Sequence, residues 1–96
     1  MKMKENSKIV YEFVKAHEAE DITAKDIADA TGLSSRQVNG IITMAFQRHK
    51  DEDKNEVPLM ERIPGEPTTD EKGKAVIPKY IHLTGEGRAI TVEDAE

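Results

Sequence analysis

Residues 22–46, ITAKDIADATGLSSRQVNGIITMAF, hold two helix starts separated by a single glycine, and this stretch constrains the fold more than any other. Thr23 precedes Asp26, and Ser34 precedes Gln37, by three residues each. In both pairs a hydroxyl can accept from a free N–H of the first turn, and Ser34 with Gln37 also fits the reciprocal capping box. Gly32 suits the left-handed position that ends a helix. The segment reads as helix, tight turn, helix. Such a unit sets its second helix steeply against the first, where it can enter a DNA major groove.

The second helix, expected over about residues 34–49, separates a buried face from a reading face. Val38, Ile41, Ile42 and Ala45 fall at i, i+3, i+4, i+7, one apolar stripe. The other positions near its start are Ser34, Ser35, Arg36, Gln37, Asn39, Gly40 and Thr43, none acidic and none with a large apolar side chain. Arg, Gln and Asn can make paired contacts to base edges, and Ser and Thr suit phosphates at the helix start or single acceptors. Between Ser34 and Lys50 the charged residues are Arg36, Arg48 and Lys50, so this stretch is positive within an acidic chain. An ordinary solvated face has the same composition, and the helix alone leaves both readings open.

The flanking segments supply the rest of a small fold. A first helix is expected from about Ser7 to Ala19, capped by Asn6 or Ser7, with Ile9, Val10, Phe13, Val14 and His17 as its stripe. Ile22 is placed to form a very short strand. Leu59–Ile63 reads as a strand, residues 64–73 as a turn-rich stretch, and Val76–Leu83 as a returning strand with Ile77, Ile81 and Leu83 on one face. Together, residues 59–83 make a β-hairpin with a long tip. Pro78 cannot donate to a ladder and marks an edge or a bulge. Thr84 caps a short last helix holding Arg88, Ala89 and Ile90. Residues 51–57 and 64–75, rich in charge, Pro and Gly, read as mobile loops. The expectation is an α+β winged helix in one domain over residues 1–96: a three-helix helix-turn-helix core, a two-stranded hairpin wing and a short C-terminal helix.

Two stretches resemble the MarR-type winged-helix regulators. Leu59, Glu61 and Arg62 followed by Leu83, Thr84, Gly87, Arg88 and Ile90 are similar to that family's "LVER" strand and its returning "LTxxGRxL". Ile27, Ala28, Gly32, Leu33, Ser34, Val38, Ile41, Ile42 and Ala45 are similar to its "LAxxLGLSxxTVxxLVxxL". The resemblance spans roughly residues 7–90. It implies a DNA-binding fold with the second helix of the motif in the major groove and the wing beside the backbone or in the minor groove. Lys72 and Lys74 stand at the wing tip where that family favours Asp-x-Arg. The connection from Gln47 to Pro58, with Asp51-Glu52-Asp53, is longer and more acidic than is usual there. The long terminal helices that pair subunits in that family have no counterpart here, so a monomer or weak dimer is expected. Tyr11, Met44, Phe46, Val57 and Val92 are the apolar residues left to make any such contact.

Composition excludes most other classes. Ninety-six residues with 36% hydrophobic and 34% charged side chains suffice for one small core, not for a core plus a large substrate cavity. No apolar run approaches membrane-spanning length, no signal-peptide pattern follows Met1-Lys2-Met3-Lys4, and Cys is absent, which fits a cytoplasmic protein. His17, His49 and His82 are isolated from one another and from carboxylates at metal-ligand spacing, so neither a metal nor a cofactor is expected. No nucleophile elbow, P-loop or dinucleotide fingerprint occurs, and no enzyme is expected.

The net charge of −5 weighs against nucleic acid, but its distribution is uneven. Residues 1–50 hold eight Lys/Arg and seven Asp/Glu, whereas residues 51–96 hold six and twelve. Two functions lead, ahead of a lesser third, an initiator or accessory domain in replication. The first is sequence-specific binding of double-stranded DNA by a small transcriptional regulator, reading through Arg36, Gln37, Asn39 and Thr43, with Ser34 and Ser35 on phosphates and Lys72 and Lys74 bringing in the wing. The alternative is a winged-helix adaptor that binds a protein partner, as a phage- or mobile-element-type protein does.

Overall fold

Local capping sets the helices in place. A computed structural model describes residues 3–90. Helix α1 spans Glu5–Ala16, α2 Ala24–Thr31 and α3 Ser35–Ile41, and a π-helical turn, Ile42–Gln47, continues α3 without a break. Both expected caps are complete capping boxes. The hydroxyl oxygens of Thr23 and Ser34 accept from the N–H groups of Asp26 and Gln37, whose side chains accept in return from the cap N–H groups. Gly32 ends α2 at φ 81°, a left-handed conformation open to glycine without a Cβ penalty.

Helix α1 departs from the expected 7–19 at both ends. Its N-cap is Lys4, without a side-chain cap bond, so Asn6 and Ser7 lie inside the first turn. Glu5 there suits the helix dipole. At the other end His17 donates its N–H to Phe13 and Val14, Glu20 donates to the His17 carbonyl, and the chain turns away before Ala19. The buried stripe is also rotated from the expected one. Val10, Tyr11 and Val14 are buried, Phe13 packs at the core's edge, and Ile9 is exposed.

The second helix departs from regular α geometry for a packing reason. In an α-helix a residue eight positions on has drifted well off the starting line. The widened turn at Ile42–Gln47, with Arg48 N–H donating to Thr43 at 3.1 Å, cancels that drift. Val38, Ile42 and Phe46 are all fully buried as a result, and Ala45, expected in that stripe, lies at its edge with Ile41.

The hairpin closes the core. Strand β1 (Met60–Pro64) pairs antiparallel with β4 (Lys79–Leu83), from Met60 opposite Leu83 to Pro64 opposite Lys79. A second short ladder at the tip pairs β2 (Thr68–Thr69) with β3 (Ala75–Val76). Between the ladders Pro78 breaks the returning strand, and its carbonyl accepts from Gly65 N–H at 2.8 Å. Ile81 and Leu83 enter the core, whereas Ile77, beyond the break, is exposed. Ile22 adds a single bond, its carbonyl accepting from Ile81 N–H at 2.8 Å.

The stretches read as mobile loops each contain a hydrogen-bonded turn, and the two turns are alike. In residues 51–55 the Asp51 carboxylate accepts from the N–H groups of Asp53 and Asn55, while Asp51 and Asn55 pair through their backbones. In residues 70–74 Asp70 accepts from Lys72 and Lys74 and pairs with Lys74 in the same way. The fourth residue is left-handed in both, Lys54 at φ 64° and Gly73 at φ 77°.

Helix α4 (Gly85–Ala89) ties the start of the hairpin to α1. Thr84 caps it, accepting from Gly87 N–H and donating to the Pro58 carbonyl at 2.6 Å. Thr84 N–H donates to Leu59, and Tyr11 donates its phenol proton to the Gly87 carbonyl at 2.6 Å. Gly87 is buried so tightly that a Cβ there would overlap the Leu59 carbonyl. Tyr11 and Phe46 are therefore core residues rather than spare contact surface. Val57 is half-buried, Met44 is 64% exposed, and Val92 lies outside the described residues. No helix among the described residues is long and apolar enough to cross a membrane.

Gly87→Ala is expected to cost about 1–3 kcal/mol or more in denaturant melts, because backbone must move. Gly85→Ala, where a Cβ meets nothing, should be close to neutral. Tyr11 gives a pH signature. Burial, and then the Glu18 carboxylate, raise its pKa above the ordinary 10.0. The native state thus keeps this proton to higher pH than the unfolded chain. Its contribution is whole below about pH 10 and is lost as pH rises through the folded value. Tyr11→Phe should cost about 1 kcal/mol at neutral pH and flatten the alkaline fall in stability.

Candidate functional site

The π turn gives the second helix a four-residue period, and its side chains fall into rows. Val38, Ile42 and Phe46 form the core row. Asn39, Thr43 and Gln47 form a polar row beside the hairpin. Arg36, Gly40, Met44 and Arg48 form an exposed row opposite the core. Gln37, Ile41, Ala45 and His49 form a fourth row on the side of the α1 start.

Arg62, from β1, spans the whole polar row. One guanidinium nitrogen donates to Thr43 Oγ1 at 3.2 Å and to Gln47 Oε1. The other donates to Asn39 Oδ1 at 3.1 Å and to the Asn39 carbonyl at 3.3 Å. Asn39 also donates its amide N–H to the Ser35 carbonyl at 3.0 Å. Partial burial lowers the Arg62 pKa from its ordinary value, through desolvation. Its acceptors are all neutral, and no carboxylate pairs with it among the described residues. The clamp therefore fixes the hairpin to the helix without cancelling the positive charge.

This arrangement sorts the expected reading residues. Ser34 and Gln37 are engaged with each other in the capping box, although the Gln37 side chain stays exposed. Asn39 and Thr43 are held by Arg62. Ser35, Arg36 and Gly40 are exposed, and Arg36 has no hydrogen-bond or ion-pair partner among the described residues. Lys72 and Lys74 are exposed on the tip turn, with their backbones fixed by Asp70. The tip lies beyond the Pro78 break, apart from the β1–β4 ladder that carries Arg62. The structure thus brings Arg36, Gln37 and Gly40 together along one groove and carries Lys72 and Lys74 on the separate tip ladder of the hairpin.

Two participants were not singled out from sequence. In the sequence Arg62 stands out only as part of a strand and of the "LVER" likeness, although the four-residue spacing of Asn39, Thr43 and Gln47 signals a common partner. Met44 was noted only as spare apolar surface. It projects from the exposed row, and Arg48 reaches its sulfur at 4.0 Å. Beside that row an open groove runs toward the start of α1, with apolar Met3, Ile41 and Met44, basic Lys4, Arg36, Arg48 and Lys50, and acidic Glu5 along it.

Searches of protein families, of curated proteins and of solved structures find no match to this chain.

Arg62→Ala is expected to cost about 1.5–3 kcal/mol in denaturant melts, the range for hydrogen bonds to a charged group. Arg62→Lys should recover less than half of that, because an ammonium lacks the planar fork that spans three side chains.

Proposed function

We propose that this chain is a winged-helix protein, of the kind the MarR-type regulators represent, that binds double-stranded DNA sequence-specifically as a small transcriptional regulator. One observation carries the reading. The second helix buries one row in the core and has a second row clamped by Arg62. It still exposes a third row holding Arg36 and Arg48, with no acidic residue between Ser34 and Lys50. A helix held on two sides and positive on the third suits a major groove, where shape and register must be fixed before bases are read. Within this reading Arg36 contacts base edges, favouring guanine, and Gln37 contributes its free amide N–H. Asn39 and Thr43 orient the helix through Arg62 and do not read bases themselves. Lys72 and Lys74 give the wing its phosphate contacts.

The adaptor reading draws support from Ile63 and Ile77, which are exposed on the hairpin at 42% and 54%, and from the acidic 51–55 turn. Duplex titrations at several salt concentrations separate the two. The DNA reading predicts a steep loss of affinity with salt. Arg36→Ala should weaken a selected site by about 1–3 kcal/mol and leave folding stability unchanged. Lys72 and Lys74 changed together to Ala should weaken all duplexes alike and lower the salt slope by about two. No binding to any duplex at low salt would leave the adaptor reading standing.

A further inference from the structure

Gly40 has no structural reason to be glycine. It lies inside a helix, its φ is not left-handed, and a Cβ added there would meet nothing within 4 Å. Glycine is the least favourable helix-interior residue after proline. The fold therefore carries a destabilising residue at an exposed position that alanine would fill without a clash.

One turn further on in the same row stands Met44, 64% exposed. A single exposed apolar side chain is ordinary. Here, however, two choices that fold stability does not favour sit four residues apart, on the one row left uncommitted, with Arg36 and Arg48 on either side. A missing side chain allows another surface to approach the backbone closely. A flexible, polarisable thioether beside the gap can mould itself to a small apolar group.

We propose that Gly40 and Met44 read the 5-methyl group of a thymine in the major groove, Gly40 admitting the base edge and Met44 covering the methyl. This rests on the DNA-binding reading above and names its second specificity determinant after Arg36. Thymine is the base whose major-groove edge carries a methyl, and the flanking cations favour a polyanion over an apolar protein partner. The Cα atoms of Arg36 and Met44 are about 12 Å apart along a helix axis, or about three to four base pairs at 3.4 Å each. The preferred half-site accordingly holds a guanine and a thymine about three to four base pairs apart.

The test begins with duplexes selected from a randomised pool by the full chain. The thymine of the selected site is then replaced with uracil, which pairs identically but lacks the methyl. Wild-type affinity should fall about three- to fivefold, the worth of one buried methyl. Met44→Ala should bind the thymine and uracil duplexes equally. Gly40→Ala should melt at a higher temperature yet bind both duplexes about tenfold more weakly, a divergence that a structural role for Gly40 does not produce. A thymine-to-uracil ratio of one for wild type, a ratio unchanged in Met44→Ala, or a selected site without thymine overturns the methyl-reading inference while leaving DNA binding in place. Failure to select any duplex at low salt overturns the DNA reading as well.

Discussion

The Arg62 guanidinium holds the second helix and the hairpin in one geometry. Its donors are shared among Asn39, Thr43 and Gln47, so a strand residue fixes the rotation of a helix that contributes only one row to the core. The clamp requires those three side chains to line up, and an α-helix would carry Gln47 off the line. The π turn aligns them and, by the same widening, returns Phe46 to the core behind Val38 and Ile42. One local distortion thus serves both the apolar and the polar row. The clamp and the core reinforce each other, because unwinding the turn would break both.

A second junction holds the hairpin at its start. Leu59 donates its N–H to Phe46 and accepts from Thr84, while Tyr11 reaches Gly87 from α1. The hairpin is therefore fixed to the end of the second helix, to α4 and through Arg62 to the helix side. Its tip is organised differently: beyond the Pro78 break, the Asp70 turn is stabilised by its own backbone bonds. The same turn recurs at Asp51 with a more acidic face, carrying Asp53 and Asn55 at the positions where the tip carries Lys72 and Lys74.

What the sequence made legible was local. The Thr23 and Ser34 caps, the Gly32 stop, the Thr84 cap and the Pro78 break each depend on residues a few positions apart, or on a backbone group that one residue type lacks. The α+β layout of helices and one hairpin followed from them. The features that escaped depend on packing across long separations. Tyr11 appeared available for contact because its hydrogen bond to Gly87 spans 76 residues. Phe46 appeared to lie off the stripe because the 3.6-residue period does not anticipate a π turn. The Arg62 clamp is likewise invisible locally, because residue type does not reveal that Asn39 and Thr43 each accept from a strand residue about twenty positions on.

That engagement also bears on how an acidic chain can present a positive surface. Had Arg62 been held by a carboxylate, the clamp would have been electrostatically stronger but locally neutral. Held by two amides, a hydroxyl and a backbone carbonyl, it keeps its charge beside a helix that carries Arg36, with Arg48 and Lys50 just past its end. Elsewhere, Glu18 pairs with Arg88 and Asp21 lies against His82, so part of the acid is committed to partners. Exposed charges more than about 8 Å apart are largely screened at physiological salt. The field at the exposed row is accordingly set by its own neighbours rather than by the total of −5. Acid also borders the row: Glu5 lines the groove that Arg36 and Arg48 line, and Glu56, Glu61 and Glu86 line a hollow with Thr43, Gln47 and Arg48, which on the proposed reading lowers non-specific attraction to DNA. That shifts the burden of recognition from charge to the contacts that distinguish one base pair from another.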